Sequence, residues 1–144
     1  MFHLPKVVLK HNTIELYVRK NASLDKNKAV LENWYRQRLK EMIPEYVNKW
    51  EKLMKVKVEE FAIKKMKTKW GTCTRKAGRV WLNLELAKKP LHCIEYIIVH
   101  EMVHLLERKH NEVFISYMDK FLPKWRFYKE ELNRSPLRHE NWSY

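Results

Sequence analysis

Residues 91–107 have the sequence LHCIEYIIVHEMVHLLE, and this stretch decides the fold. Pro90 directly precedes it and suits the first position of a helix, so we predict a helix from about Leu91 to Glu107. Apolar side chains would lie on nearly every side of that helix: Leu91, Ile94, Ile97, Ile98, Val99, Met102, Val103, Leu105 and Leu106. A helix that is apolar all round belongs inside a core. We therefore place it at the centre of the domain.

Three polar residues, His100, Glu101 and His104, lie within this apolar helix. Residues four apart on a helix differ by about 40° in direction and about 6 Å in height, so both imidazoles can meet on one metal ion. Burying these groups would cost several kcal/mol unless they were paired or metal-bound. Zinc lowers the pKa of a bound water to about 7, and a neighbouring carboxylate can take the proton. The spacing predicts a zinc site with Glu101 as general base.

A third protein ligand is expected, because catalytic zinc usually has three and keeps one position open. His110 lies six residues after His104 and can join only if the chain turns after about Glu107. The polar run Glu107-Arg108-Lys109 makes such a turn plausible, and ligand spacing favours His110. Glu107 is the rival, since it lies on nearly the same helix face as both histidines. It would serve as a ligand or as a hydrogen-bond acceptor that orients one.

The remaining pattern alternates short strands with helices and predicts an α+β fold. Strand-like runs occur at Val7–Leu9, Ile14–Val18, Phe61–Ile63 and Val80–Leu84. His11-Asn12 is a weak hairpin turn, and Lys76-Ala77-Gly78 is a second turn.

The other helices are predicted from their capping residues. Ser23 or Asp25 would cap a helix that reaches about Met42, and Pro44 would break or kink it before a second piece ending near Met54. Asn111 would cap a helix that ends near Phe121, followed by a tail from Trp125. We predict one domain over residues 1–144, with a short N-terminal β region (1–22), a core at about 27–134 and a tail (135–144).

The composition is that of a globular protein: 144 residues, 45% hydrophobic and 33% charged. The start lacks the apolar run of a signal peptide, and no stretch of 18 or more apolar residues occurs. Two cysteines are too few for a disulfide scaffold. These features predict a cytoplasmic protein outside the membrane and leave the oligomeric state open.

A net charge of +13 favours polyanionic partners such as nucleic acid or nucleotides, or else reflects a well-solvated basic surface. Twelve basic residues and three acidic ones lie between Lys52 and Lys89. On a strand, Lys65, Lys67 and Lys69 would share one face and form a phosphate-contacting strip, with Trp70 and Trp81 available for stacking. The competing interpretation is an edge strand kept soluble by lysines.

Several motifs together resemble the YgjP-like metallopeptidase family, a zincin-like group distantly related to SprT-like proteases. Trp70-Gly71-Thr72-Cys73-Thr74 is similar to the family's W-G-S-C-S element, and Val80-Trp81-Leu82-Asn83 precedes the metal helix as it does in the family. The resemblance implies a small mixed or antiparallel sheet packed on helices, with the HExxH helix buried at the centre. It also implies Zn²⁺ bound by His100, His104 and His110, with Glu101 as catalytic base.

The resemblance leaves three functions in competition. The first is a zinc peptidase acting on a peptide or protein. The second is a metal-dependent nucleoside triphosphate pyrophosphatase or phosphoester hydrolase, an activity ascribed to a family member. The third is a DNA-associated protease or binding module. Trp70, Gly71 and Asn83 are candidates for lining the cleft, although each also suits a purely structural role.

Overall fold

The computed structural model describes residues 5–10 and 13–134. The turn predicted at His11-Asn12 and the tail 135–144 lie outside the described residues. Two antiparallel strands, β1 (Lys6–Lys10) and β2 (Thr13–Tyr17), come first and form a sheet of their own. The predicted N-terminal β region is thus an antiparallel pair, with Lys6 opposite Tyr17.

A single helix, α1, extends over Leu24–Met54. The Ser23 side chain caps it by accepting a hydrogen bond from the Lys26 amide at 3.2 Å. The predicted break at Pro44 is wrong, because the helix continues through it. Proline removes only one backbone hydrogen bond, and the buried face continues on both sides, which offsets that cost of about 3 kcal/mol. That face consists of Leu39, Ile43, Val47, Trp50 and Met54.

A three-stranded mixed sheet has the order β3 (Glu60–Lys64), β5 (Arg79–Asn83), β4 (Gly71–Thr74). β5 is parallel to β3 and antiparallel to β4, so β4 is an edge strand. Leu82 lies opposite both Ile63 and Gly71 in this register. Val80, Leu82 and Ile63 are buried, so their face of the sheet covers the core.

The alternating lysines do not lie on a strand. β3 ends at Lys64, and residues 65–70 form a loop. The Asn83 side chain holds this loop, since its amide donates to the carbonyls of Met66 (3.0 Å) and Lys69 (2.7 Å). These bonds replace strand pairing, so the predicted common face for Lys65, Lys67 and Lys69 is wrong.

The central helix, α2 (Leu91–Val103), is buried as predicted, and it contacts α1, β4, β5 and both later helices. It ends at Val103, one turn before the predicted end at Glu107. The Leu105 and Leu106 amides bond to the carbonyls three residues earlier, at 3.0 and 2.8 Å, which tightens the backbone and stops the helix.

Two helices follow α2. Asn111 caps α3 (Glu112–Phe121) as predicted, by accepting from the Phe114 amide at 3.1 Å. The region predicted as a tail from Trp125 instead begins with a helix, α4 (Trp125–Asn133), which packs on α2. Trp125 and Leu132 are buried there, and the Trp125 indole donates to Asp119 at 2.8 Å. Among the described residues, no helix is both long and apolar enough to cross a membrane.

Candidate metal centre

Three imidazoles converge where α2 ends. His100 lies on the last full turn of α2, His104 is its C-terminal cap, and His110 directly precedes the Asn111 cap of α3. One ring nitrogen from each histidine lies within 4.8 Å of those of the others. Two nitrogens bound to one tetrahedral zinc are roughly 3.4 Å apart, because each Zn–N bond is about 2.0–2.1 Å. The imidazoles therefore need only small movements to share one ion.

The early end of α2 brings His110 to this cluster. The His104 Nδ1 lies 3.1 Å from the Glu107 carbonyl oxygen. Because a carbonyl only accepts, Nδ1 carries the proton and the Nε2 lone pair is directed away from the turn. That Nε2 lies 2.8 Å from Nε2 of His110. The hydrogen bond to the turn thus orients the His104 ring, as bonds from carbonyl groups orient histidines that bind metals.

Glu107, the rival ligand, supports this turn with its side chain. Its Oε1 accepts from the Lys109 amide at 3.3 Å and from the Asn111 side chain at 3.2 Å. It is not among the residues whose donor atoms converge with the histidines. The structure therefore brings His110, rather than the Glu107 carboxylate, to the other two imidazoles.

Phe114 forms the wall against which all three imidazoles pack. Its ring centroid lies 4.9 Å from that of His100, 4.7 Å from His104 and 5.0 Å from His110. Phe114 lies in the first turn of α3, three residues after the Asn111 cap, and its place in the site was not among the sequence-based predictions.

Burial favours the neutral form of two of the imidazoles. It lowers the pKa of His104, against a smaller opposing effect of the hydrogen bond to Glu107. Burial also lowers the pKa of His110, and the neighbouring His104 adds to that effect. Neutral imidazole is the form that binds a metal. His110 is exposed and His104 half-buried, so the cluster is open to solvent on one side.

Glu101 directly follows His100 in α2 and is only 2% exposed. Its Oε2 is buried and has no hydrogen-bond partner among the described residues. Burial raises the pKa of Glu101 to about 8, and the positive charge of Lys69 opposes the shift. An orphaned carboxylate oxygen next to three convergent nitrogens fits a site that receives a water molecule and a divalent cation.

Stability of the metal-free chain should depend on this carboxyl. The unfolded chain releases the proton near pH 4.5 and the folded chain holds it to about pH 8. Between these values the folded state binds more protons, so the free energy of unfolding falls as pH rises, by about 1.4 kcal/mol per pH unit. Urea unfolding of metal-free wild type and Glu101→Gln measures this, and we expect the steeper decline in wild type. Equal slopes would contradict the burial argument.

Trp70 and Asn83, the other residues predicted to line the cleft, form hydrogen bonds that fix the 65–70 loop and the start of β4. Trp70 is buried, and its carbonyl accepts from the Asn83 amide at 2.9 Å. The Asn83 side chain is fully buried and occupied by the 65–70 loop and by the Glu85 amide. The lysines of that loop are exposed, and Lys65 pairs with Glu32 at 2.7 Å. Trp70 and Asn83 thus support the wall of the site.

Gly71 touches the catalytic candidate directly. A Cβ built on Gly71 would lie 2.9 Å from Cγ of Glu101 and 3.2 Å from Cγ2 of Ile97. Real Cβ atoms do not approach this closely, so any side chain here must displace Glu101 or β4. Glycine therefore allows the edge strand to lie directly on the carboxylate.

Gly71→Ala should accordingly misplace Glu101 and lower peptide-cleaving efficiency about 100-fold, with a stability cost of about 1–3 kcal/mol. Gly78→Ala is the control for lost stability, since its Cβ would meet Cγ of Glu59 at 2.8 Å, its φ of 62° also disfavours alanine, and it is not among the residues of the histidine cluster. Steady-state kinetics and urea unfolding of both variants separate the effects. Equal activity losses in the two would refute a specific role for Gly71.

The comparisons with known proteins agree with this fold. The YgjP-like family profile, described as a metallopeptidase domain, matches residues 4–135. No similar protein was found among curated sequences.

Two solved structures share the zincin-like fold at low sequence identity. The metallopeptidase zymogen abylysin of Pyrococcus abyssi is 17% identical with a TM-score of 0.62, and the alignment covers 67% of this chain and 97% of that one. The metallopeptidase zymogen jannalysin of Methanocaldococcus jannaschii is 19% identical with a TM-score of 0.57, covering 64% and 94%. Since the profile match covers nearly the whole sequence, the chain belongs to the YgjP-like metallopeptidase family.

Proposed function

We propose that this chain is a zinc-dependent peptidase in which His100, His104 and His110 hold the ion and Glu101 is the general base. One observation carries the proposal: three imidazole donors meet beside a buried carboxylate whose Oε2 is directed at no partner among the described residues. Metallopeptidase family membership supports it.

The bound ion would supply a Lewis acid that lowers the pKa of a water molecule and polarises the substrate carbonyl. Glu101 then accepts the proton from the attacking water and donates it to the departing amide nitrogen. Burial already raises the pKa of this carboxyl to about 8, so it exchanges a proton readily near neutral pH. The positive charge of Lys69 favours the ionised form of Glu101, which is the form required of a base.

The sheet offers a binding surface for an extended peptide. β4 pairs only with β5 among the described strands, so its other edge has no strand partner among the described residues. Main-chain hydrogen bonds along such an edge bind peptides with little regard to side chains. Because Gly71 of β4 lies against Glu101, a peptide on this edge would pass beside the base.

A cleavage assay tests the proposal. The chain is stripped of metal, reloaded with zinc and incubated with a mixture of unstructured peptides, and the products are identified by mass spectrometry. We expect peptide cleavage only in the zinc-loaded sample. Absence of cleavage by a folded, zinc-loaded chain over a broad peptide mixture would count against the peptidase.

A second candidate function is hydrolysis of nucleoside triphosphates, favoured by the electrostatic effect of Lys69 on Glu101. An exposed lysine near the carboxylate is suited to hold a phosphate. The same zinc-loaded chain is therefore given nucleoside triphosphates, and pyrophosphate release is measured for wild type and Lys69→Met. Nucleotide hydrolysis that depends on Lys69, without peptide cleavage, would favour this second function.

A further inference from the structure

A second group of potential metal-binding side chains lies at the opposite end of α2. His92 and Cys93 are in its first turn, and Glu131 reaches them from α4. The Glu131 Oε2 lies 2.5 Å from Nε2 of His92 and 3.2 Å from Sγ of Cys93. One donor atom from each residue lies within 4.8 Å of the others. His92 and His100 are eight residues apart, which is about 12 Å along a helix. This group is therefore separate from the cluster of His100, His104 and His110.

We propose that His92, Cys93 and Glu131 form a second metal site, one that binds zinc or a similar borderline divalent cation. Nitrogen, sulfur and oxygen donors together suit zinc and cobalt(II) and do not suit magnesium or calcium, which prefer oxygen alone. The three side chains supply three of four tetrahedral positions. His92 is exposed and Glu131 partly so, which leaves room for water as the fourth ligand.

The charges balance when the site is loaded. The Cys93 thiol donates a hydrogen bond to Glu131. Metal binding would release the thiol proton to solvent and leave a thiolate. Thiolate and carboxylate together neutralise a divalent cation. Lys89 interacts electrostatically with Cys93, and Arg134 interacts electrostatically with Glu131. The thiolate and the carboxylate must therefore attract the cation more strongly than these positive charges repel it. The start of a helix stabilises both anions through its dipole.

The surroundings hold the donors in place without a metal. Cys93 is fully buried, so its sulfur cannot swing into solvent. The Tyr128 ring packs on His92 with centroids 5.1 Å apart. A metal here would join the start of α2 to α4, the last described helix, and so fasten α4 to the core. This role is structural and does not depend on the peptidase mechanism.

The two sites can be distinguished by spectroscopy, because only the site that contains Cys93 can show thiolate-to-metal charge-transfer absorption. The full chain is stripped of metal and titrated with cobalt(II), and near-ultraviolet absorption from thiolate-to-cobalt charge transfer is recorded. We expect this band in wild type and in Cys73→Ser, the matched control. We expect it to vanish in Cys93→Ser. Native mass spectrometry after zinc loading should show about two ions per wild-type chain and about one for Cys93→Ser.

Misfolding could also abolish the cobalt band in Cys93→Ser, so His92→Ala is a second variant. It changes an exposed side chain and leaves the buried thiol in place. It should weaken the cobalt band at least about tenfold at limiting metal. Equal zinc content in wild type and Cys93→Ser, or a band that survives Cys93→Ser and disappears in Cys73→Ser, would overturn the proposal. His92, Cys93 and Glu131 would then form only a hydrogen-bonded contact between α2 and α4.

Discussion

Glu101→Gln is expected to lower kcat/KM for peptide cleavage by about 10³-fold while the zinc content stays that of wild type. Glutamine has nearly the same size as glutamate, so it keeps the packing against Gly71. Its amide cannot accept the proton of the attacking water. The change therefore removes the base without removing the site.

Kinetics and metal analysis on the same preparations check this expectation. Glu112→Gln is the matched control, because Glu112 is exposed in the first turn of α3 and carries the same substitution. Its cleavage rate should equal that of wild type. Retained zinc with undiminished cleavage in Glu101→Gln would exclude Glu101 as the base.

The second large expected effect is the loss of zinc affinity when a histidine ligand is removed, and it identifies the third ligand. His104→Ala and His110→Ala should each weaken zinc binding at the α2 end by at least about 100-fold, more than loss of a supporting hydrogen bond costs. Glu107→Gln should bind nearly as wild type, because a glutamine oxygen can still accept from Lys109 and Asn111. Zinc competition against a chromophoric chelator measures these affinities.

These variants are compared in a Cys93→Ser background, so that the site at the start of α2 contributes no zinc. If Glu107→Gln loses zinc as completely as His104→Ala while His110→Ala keeps it, the third ligand is Glu107. In that event the turn must reorganise when metal binds, since the carboxylate now bonds to the backbone of Lys109.

Periodicity and capping were enough to predict much of the fold. The apolar run in residues 91–103 identified the central helix, and Ser23 and Asn111 marked helix starts that the structure confirms. Pro44 misled because tertiary packing of Ile43 and Val47 outweighs one lost hydrogen bond. The lysine alternation misled because side-chain bonds from Asn83, distant in sequence, decide the path of the 65–70 loop.

At the site, helix geometry alone placed His100 and His104 together, and a chain turn was required for His110. The sequence did not show where that turn begins, since it depends on the His104 contact with the Glu107 carbonyl. The contact between Gly71 and Glu101 joins two elements far apart in the chain, so no local pattern predicts it. Glu131 is likewise far from His92 and Cys93 in the sequence, so no local pattern predicts that the three side chains meet.

The end of α2 at Val103 divides the candidate metal centre into parts that differ in burial. His100 belongs to the most deeply buried helix, whereas His110 lies beyond a short exposed turn. Closing a loop this short costs little chain entropy, so an ion can recruit His110 without reordering the core. Release of the ion should in turn loosen residues 104–110 first. Amide hydrogen exchange would then rise in the turn while the amides of α2 stay protected.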